Sequence, residues 1–460
     1  MITQDEIDEA AKTLDISVHN VERDYVFGWL ISGIFQASRL GESLILKGGN
    51  ALRKGYFPLT RFSDDLDFSA ADALDGARLI DQLNEVCRFT EARTGVAFDL
   101  DRNRIAGEQQ IDPERRVYKV QLYFRDFAGG GDHITLSVRV DVTEYDRLYL
   151  PSQTRNLIHQ YSDAADCAGP IRVVKLEEAL ADKLKCLLQR RYCYDLFDAV
   201  YAIFVTQDLE VDRSEIVRVF LKKTIFEPSP SAAKNLLLGL PFELFRGFWD
   251  KVICPAPTRM TFAQAVERMT NGLEELFAPF GYGQGYEQAF FPAELRNPIL
   301  EAGSGRKLLE LKYHGVTRRV EPYALTFMRR RDGVAREYFY GYDRTGGRTS
   351  GPSVKTFVAT GVDAIAVTDE SFEPRFEIEL AKAGGADASG PFSGRPGSRR
   401  LFSTPRRSIR RSVPSFAPTY FVACPYCGKR FSRQRLSLTL NPHKDQFGNR
   451  CYGRLGYQVF

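Results

Sequence analysis

No stretch of the 460 residues is long and apolar enough to span a membrane. The most apolar run, Tyr25 to Ala37, is shorter than a span and contains Ser32 and Gln36, so it reads as a buried helix. The first residues include Asp5 and Glu6 and lack a signal-peptide pattern, which predicts a cytoplasmic protein with no membrane partner. Internal repeats, collagen-like periods and coiled-coil heptads are missing too. With 43% hydrophobic and 27% charged residues, general disorder is excluded. A globular chain of this length has roughly two to four domains.

Acid is the other shortage. From Pro391 onward, 14 Lys and Arg stand against one acidic residue, Asp445, which leaves 49 basic and 58 acidic residues in the first 390. A tail of +13 on a body of −9 points to a polyanion, most simply nucleic acid. Cys87, Cys167, Cys186, Cys193 and Cys254 are scattered and read as ordinary thiols. Cys424, Cys427 and Cys451 instead cluster around His443, which in a cytosolic chain suggests metal rather than disulfides.

Pattern divides the chain into an α+β assembly of five parts. Residues 1–160 read as a mixed sheet with helices, with strands near 43–46, 61–69, 96–100, 117–124 and 133–142 and helices over 21–38 and 72–90. Residues 161–282 are mostly helical. Residues 283–382 turn to short β runs, 319–322 and 337–342 among them, of a small antiparallel barrel or sheet. Residues 383–418 form a basic linker rich in Gly, Ser and Pro, and 419–460 a compact module.

At period two, Ser63, Asp65 and Asp67 share one strand face while Phe62, Leu66 and Phe68 take the other. Side-by-side carboxylates call for solvent or a cation, and Mg²⁺ suits carboxylate oxygen while leaving room for phosphate. On a later strand Asp141 lies on the polar face, and three such carboxylates can hold two metal ions for phosphoryl transfer. Upstream, Gly48-Gly49 joins a strand to a helix, where backbone N–H groups can approach a phosphate.

Leu46-Lys47-Gly48-Gly49-Asn50-Ala51-Leu52 with Arg61-Phe62-Ser63-Asp64-Asp65-Leu66-Asp67-Phe68 resembles the AbiEii/AbiGii nucleotidyltransferase toxins of the DNA polymerase β-like superfamily. A second block, from Leu176 through Lys183 to Arg190 and then Asp195 and Asp198, extends the resemblance over roughly residues 20 to 280, with Tyr194 where the family has Arg. The resemblance implies Mg²⁺-dependent transfer of a nucleotide from an NTP to an acceptor, with tRNA the acceptor in toxin relatives, and a cognate antitoxin. By the same analogy Gly48, Gly49, Asn50, Ser63, Lys183, Arg190, Asp195 and Asp198 serve the nucleotide.

Residues 308–380 resemble the WYL domain, through Arg318 to Leu325, Glu337 to Asp343 and Val354 to Phe357. That resemblance implies an anionic ligand lined by Tyr313, Arg329, Tyr338, Tyr340 and Lys355. Cys424, Cys427, His443 and Cys451 offer four soft ligands for a structural Zn²⁺, amid Lys429, Arg430, Arg433, Arg435, Lys444, Arg450 and Arg454 and downstream of an arm from Arg395 to Arg411. Basic and aromatic residues together fit RNA. The rival reading is a ligand-sensing, nucleic-acid-binding regulator with an inert transferase domain; intact Asp65, Asp67 and Asp141 argue against it.

Overall fold

The computed structural model describes the chain apart from residues 1, 111–115, 126, 128–134, 147, 207–208, 282–288, 330–333, 347–350, 376–377, 382–419, 426, 428–429, 434–437, 442, 445–449, 452–454, 456 and 460. It forms two compact units, Met1–Thr404 and Pro405–Phe460. Among the described residues no helix is long and apolar enough to cross a membrane.

The first unit is built on a seven-stranded mixed sheet. Its strands are β1 (Leu44–Lys47), β2 (Asp65–Ala70), β3 (Arg104–Gln110), β4 (Arg116–Arg125), β5 (Thr135–Glu144), β6 (Gln153–Asn156) and β7 (Pro170–Val173), in the order β3-β4-β5-β2-β1-β7-β6. Residues Leu66, Phe68, Tyr118, Val120, Leu122, Phe124, Val138, Val140 and Val142 are buried on one face, as period-two alternation requires of a half-covered sheet. The Tyr25 to Ala37 run forms most of a helix, Val18–Gln36, with Ala37 as its C-cap; its buried residues come from every side, which explains the high hydrophobicity. The helices Leu176–Gln189, Cys193–Val200 and Phe262–Phe277 share this core, so the α/β and helical segments are packed as one cluster.

Two strand expectations fail. Residues 96–100 make one isolated bridge, Phe98 to Phe124, instead of a strand. On the side away from β5, β4 pairs with β3, whose polar composition hid it; there Asn103 Oδ1 accepts the Tyr123 N–H at 2.7 Å and turns the chain into β3. Likewise the strand expected to stop at Pro322 continues from Val316 to Arg329. Proline normally ends central strands for want of an N–H. A register shift between Tyr340 and Gly341, opposite Pro322, accommodates it here.

That strand, β9 (Val316–Arg329), belongs to a five-stranded antiparallel sheet with β8 (Lys307–Tyr313), β10 (Ala335–Asp343), β11 (Ser353–Phe357) and β12 (Val362–Ser371), in the order β11-β10-β9-β8-β12. Among the described residues the end strands do not pair, so of the two forms expected, barrel or sheet, this is an open sheet and not the WYL-like barrel. Its core is separate, around Ile299, Leu300, Leu309, Tyr323, Phe339 and Phe357.

The second unit holds a three-stranded sheet, with Tyr420–Ala423 between Arg430–Arg433 and Tyr457–Val459, and a ladder of His443–Lys444 with Arg450–Cys451. Its core is Val422, Leu440, Cys424 and Cys451.

Candidate active site and cysteine–histidine cluster

On β2, Asp65 and Asp67 are half-buried on the face opposite the core. The neighbour β5 runs parallel and sets Asp141 directly beside Asp67 and Arg139 beside Asp65. On the other flank, β1 puts Lys47 opposite Asp67, and β4 puts Lys119 opposite Asp141. Lys47, Asp67, Asp141 and Lys119 thus form one row across four strands. Neighbouring strands are about 4.8 Å apart, and like charges at that spacing repel. A hard divalent cation relieves the crowding, and an all-carboxylate donor set fits Mg²⁺. Lys47 Nζ itself turns to Asp146 and to Thr143 Oγ1 at 3.3 Å, while Arg139 Nη2 lies 3.9 Å from Asp65.

The glycine pair is pressed onto this row. Gly48 has φ +74°, and a Cβ there would lie 2.1 Å from Asp67 Oδ2; one at Gly49 would lie 2.5 Å from Ser63 Oγ. At Gly48 both backbone freedom and space therefore demand glycine, and at Gly49 space does. The turn opens the helix Gly48–Gly55, whose first N–H groups have no partner within the helix. Asn50 Nδ2 donates to the Asp65 carbonyl at 2.6 Å and Ser63 Oγ donates to Asp65 Oδ1 at 3.2 Å. These two side chains hold Asp65 in place.

Behind the turn lies a buried charge network. Arg61 makes a bidentate pair with Asp198 at 2.8 and 2.7 Å. Lys183 Nζ meets Asp198 at 2.7 Å and Asp195 at 3.1 Å, and Arg190 grips Asp195 at 2.6 and 3.1 Å. Asp195 and Asp198 are 0% and 1% exposed. Burial alone would raise the Asp195 carboxyl, but Arg190 and Lys183 outweigh it and hold it at about 2. Burial opposes the charge on Lys183 as well, yet Asp198 and Asp195 lift it above its ordinary value. Three cations against two carboxylates leave the network with a charge of +1. Tyr194, standing where the resemblance has Arg, packs its ring 4.5 Å from the Arg61 guanidinium.

Lys183, Arg190, Asp195 and Asp198 are thus brought together, with their charged ends turned to one another. Arg61 is the residue that sequence reasoning passed over. It joins this network to the loop carrying Ser63, and its Nη2 would stand 2.9 Å from a Cβ on Gly49. Lys47, Arg139 and Lys119 were also missed, although each lies at the period-two position that shares the carboxylate face.

The depressed Asp195 carboxyl carries a pH consequence. Its folded value of about 2 lies below the ordinary 3.8, so its contribution is complete above about pH 4 and is lost as pH falls through 2. At about 1.4 kcal/mol per unit, the loss is roughly 2 kcal/mol. Denaturant unfolding between pH 6 and pH 2 should show Asp195→Asn less acid-sensitive than the parent by that amount; parallel curves would refute it.

Residues 29–253, just under half of the chain, match the family described as nucleotidyl transferase AbiEii toxin, type IV toxin–antitoxin system. This segment is similar to the AbiEii nucleotidyltransferase toxins. The matched segment contains the carboxylate row, the glycine turn and the Lys183 network; the five-stranded sheet and the terminal module lie beyond it. Among solved structures, MenT4, a nucleotidyltransferase toxin from Mycobacterium tuberculosis H37Rv, is 22% identical over 60% of this chain and 90% of its own, at TM-score 0.39. The proteasome accessory factor B/C of Arthrobacter aurescens is 10% identical over 56% of this chain and 60% of its own, at TM-score 0.14. Neither overlap is close enough to bear on activity. No curated protein matches the chain.

The candidate ligand residues of the five-stranded sheet fall on two faces. Tyr313 packs on Phe357, with ring centroids 5.0 Å apart, and Lys355 Nζ pairs with buried Asp343 at 3.2 Å. Tyr338 and Tyr340 alternate with buried Glu337 and Phe339 and so point the other way. The Arg329 side chain lies outside the described residues.

In the terminal unit, one ligand atom from each of Cys424, Cys427, His443 and Cys451 falls within 4.8 Å of the others. Cys424 Sγ is 3.7 Å from Cys451 Sγ, close to the roughly 3.8 Å edge of a tetrahedron with 2.3 Å metal–sulfur bonds. His443 Nδ1 lies 2.9 Å from the Asn441 carbonyl and Nε2 is 3.3 Å from Cys427 Sγ. A proton on Nδ1 leaves Nε2 as the ligand. Arg395 to Arg411, Lys429, Arg435 and Arg454 lie outside the described residues, as do the side chains of Arg430, Arg433, Lys444 and Arg450.

Proposed function

We propose that the chain transfers a nucleotide from an NTP to an RNA acceptor, with tRNA as the acceptor class, as the toxin of a toxin–antitoxin or phage-defence system with a cognate antitoxin. The observation that carries this reading is the row of Asp67 beside Asp141, with Gly48 pressed on Asp67. Asp65, Asp67 and Asp141 would hold Mg²⁺, which when bound supplies charge neutralisation at the phosphates. The N–H groups at Gly48 and Gly49 face the triphosphate, and the +1 network behind them favours an anion there. Lys183 and Arg190 act through the aspartates they pair with, fixing the turn. The acceptor hydroxyl oxygen forms a bond to the α-phosphorus, the bond to the bridging oxygen breaks, and pyrophosphate leaves. Asp141 takes the hydroxyl proton.

In this reading residues 1–160 are the catalytic domain, 161–282 the helical subdomain, 283–382 a WYL-like sensor, 383–418 a basic linker and 419–460 a zinc module that contacts RNA. Purified protein incubated with labelled NTPs and total tRNA should label the RNA in a Mg²⁺-dependent manner. Absence of label with every NTP would overturn the reading and favour the inert regulator.

Zinc is a separate expectation. Elemental analysis should find about one Zn²⁺ per chain, absent from Cys424→Ser, because a four-ligand structural site does not survive loss of a thiolate. With so small an apolar core, the terminal unit should unfold in the variant while the first unit keeps its melting transition. A metal-free parent protein would sink the assignment.

A further inference from the structure

The carboxylate face continues beyond the catalytic row. A second row runs beside it: Asp65 lies opposite Arg139, Arg139 opposite Gln121, and Gln121 opposite Arg104. Arg104 donates to Gln121 Oε1 at 3.3 Å. Next along β4 on this face is Tyr123, whose ring has Arg102 at 4.4 Å and Arg104 at 5.4 Å. The Arg139 and Arg102 side chains are 58% and 50% exposed. The described ion pairs set two acids against these groups, Asp99 at 3.8 Å from Arg102 and Asp65 at 3.9 Å from Arg139.

The alternate residues Tyr118, Val120, Leu122 and Phe124 are core, so folding fixes which face β4 turns outward. It does not demand basic side chains there, since any polar residue suits an uncovered sheet face. Basic groups spread over two strand spacings, about 10 Å from Asp141, suit a repeating anion. Guanidinium planes held against a tyrosine ring offer a stacking surface for bases.

We propose that this shelf of Arg139, Lys119, Gln121, Arg104 and Arg102 binds the single-stranded end of a nucleic-acid acceptor, its phosphates on the basic groups and a base on the Arg102 and Arg104 planes. The inference rests on the transferase reading above and names the surface that presents the acceptor to Asp65, Asp67 and Asp141.

The test uses the full chain with two double variants, Arg102→Glu/Arg104→Glu and the milder Arg102→Ala/Arg104→Ala, both distant from the carboxylates. Two probes are measured, total tRNA in the transfer assay and a labelled single-stranded oligoadenylate in equilibrium binding. The acceptor concentration for half-maximal rate should rise about tenfold in the charge-reversed variant, with that for NTP unchanged. The slope of log affinity against log salt should fall by about 1 per lost phosphate contact. Equal oligoadenylate affinity and slope in parent and both variants would overturn the shelf, whether or not transfer is seen. Label on protein rather than RNA, with the rate unaffected in both variants, would overturn its role in presenting the acceptor. Shelf-dependent RNA binding without transfer to any acceptor would instead defeat the transferase reading and leave the shelf standing.

Discussion

Asp67→Asn should abolish nucleotide transfer, by about a thousandfold or more, while leaving thermal stability unchanged or higher. Asp67 stands opposite Asp141 on adjacent parallel strands and beneath the Gly48 turn. Loss of its charge removes an electrostatic contribution of several kcal/mol to phosphoryl transfer, and each 1.36 kcal/mol is a factor of ten in rate. Relief of repulsion between facing carboxylates acts in the other direction on the fold. Asp65→Asn should behave similarly. Asp64→Asn is the control: Asp64 precedes β2 and pairs with Arg23 at 3.5 Å, so its loss should change the rate only a few-fold. A rate assay beside a thermal melt checks all three. Retained transfer in Asp67→Asn would remove Asp67 from the chemistry, and a fall in stability of several kcal/mol would make its role structural.

The second large effect is on stability. Asp198→Ala should cost about 3–5 kcal/mol, the typical result of stripping one partner from a buried ion pair. The carboxylate is shared by Arg61 and Lys183, whose side chains are 4% and 10% exposed. Neither can recover its hydration without opening the core. Asp198→Asn should lose less, because the amide oxygen can still accept from one of them. Both variants should also weaken NTP binding, since Arg61 carries the loop that holds Ser63 and backs Gly49. Chemical denaturation and NTP titration of the same preparations separate the effects. A cost below about 1 kcal/mol for Asp198→Ala would mean that the network contributes little to the fold.

Much of the site was legible before any tertiary information. Alternation along 61–69 and 135–143 assigned Asp65, Asp67 and Asp141 to polar strand faces, because a half-buried strand admits only one pattern of core residues. The Gly-Gly turn and the Cys/His spacing are local, as are the chemistries they suit. Which strands are neighbours is not local. The parallel pairing of β2 with β5 joins residues 74 positions apart, Asp67 with Asp141, across a connection that includes the helix Gly76–Thr94. The helix, β3 and β4 that intervene must pack and pair before β5 can lie beside β2. The union of Arg61 with Asp198 spans 137 positions, and no period in the chain reports it. Lys183 illustrates the difference well: its place on a helix was readable, but its two aspartate partners follow from a buried cation seeking charge in a low-dielectric core. The placement of Lys47 and Lys119 at either end of the Asp67–Asp141 pair was likewise decided by register, since a shift of one residue would send every side chain on a strand to the opposite face.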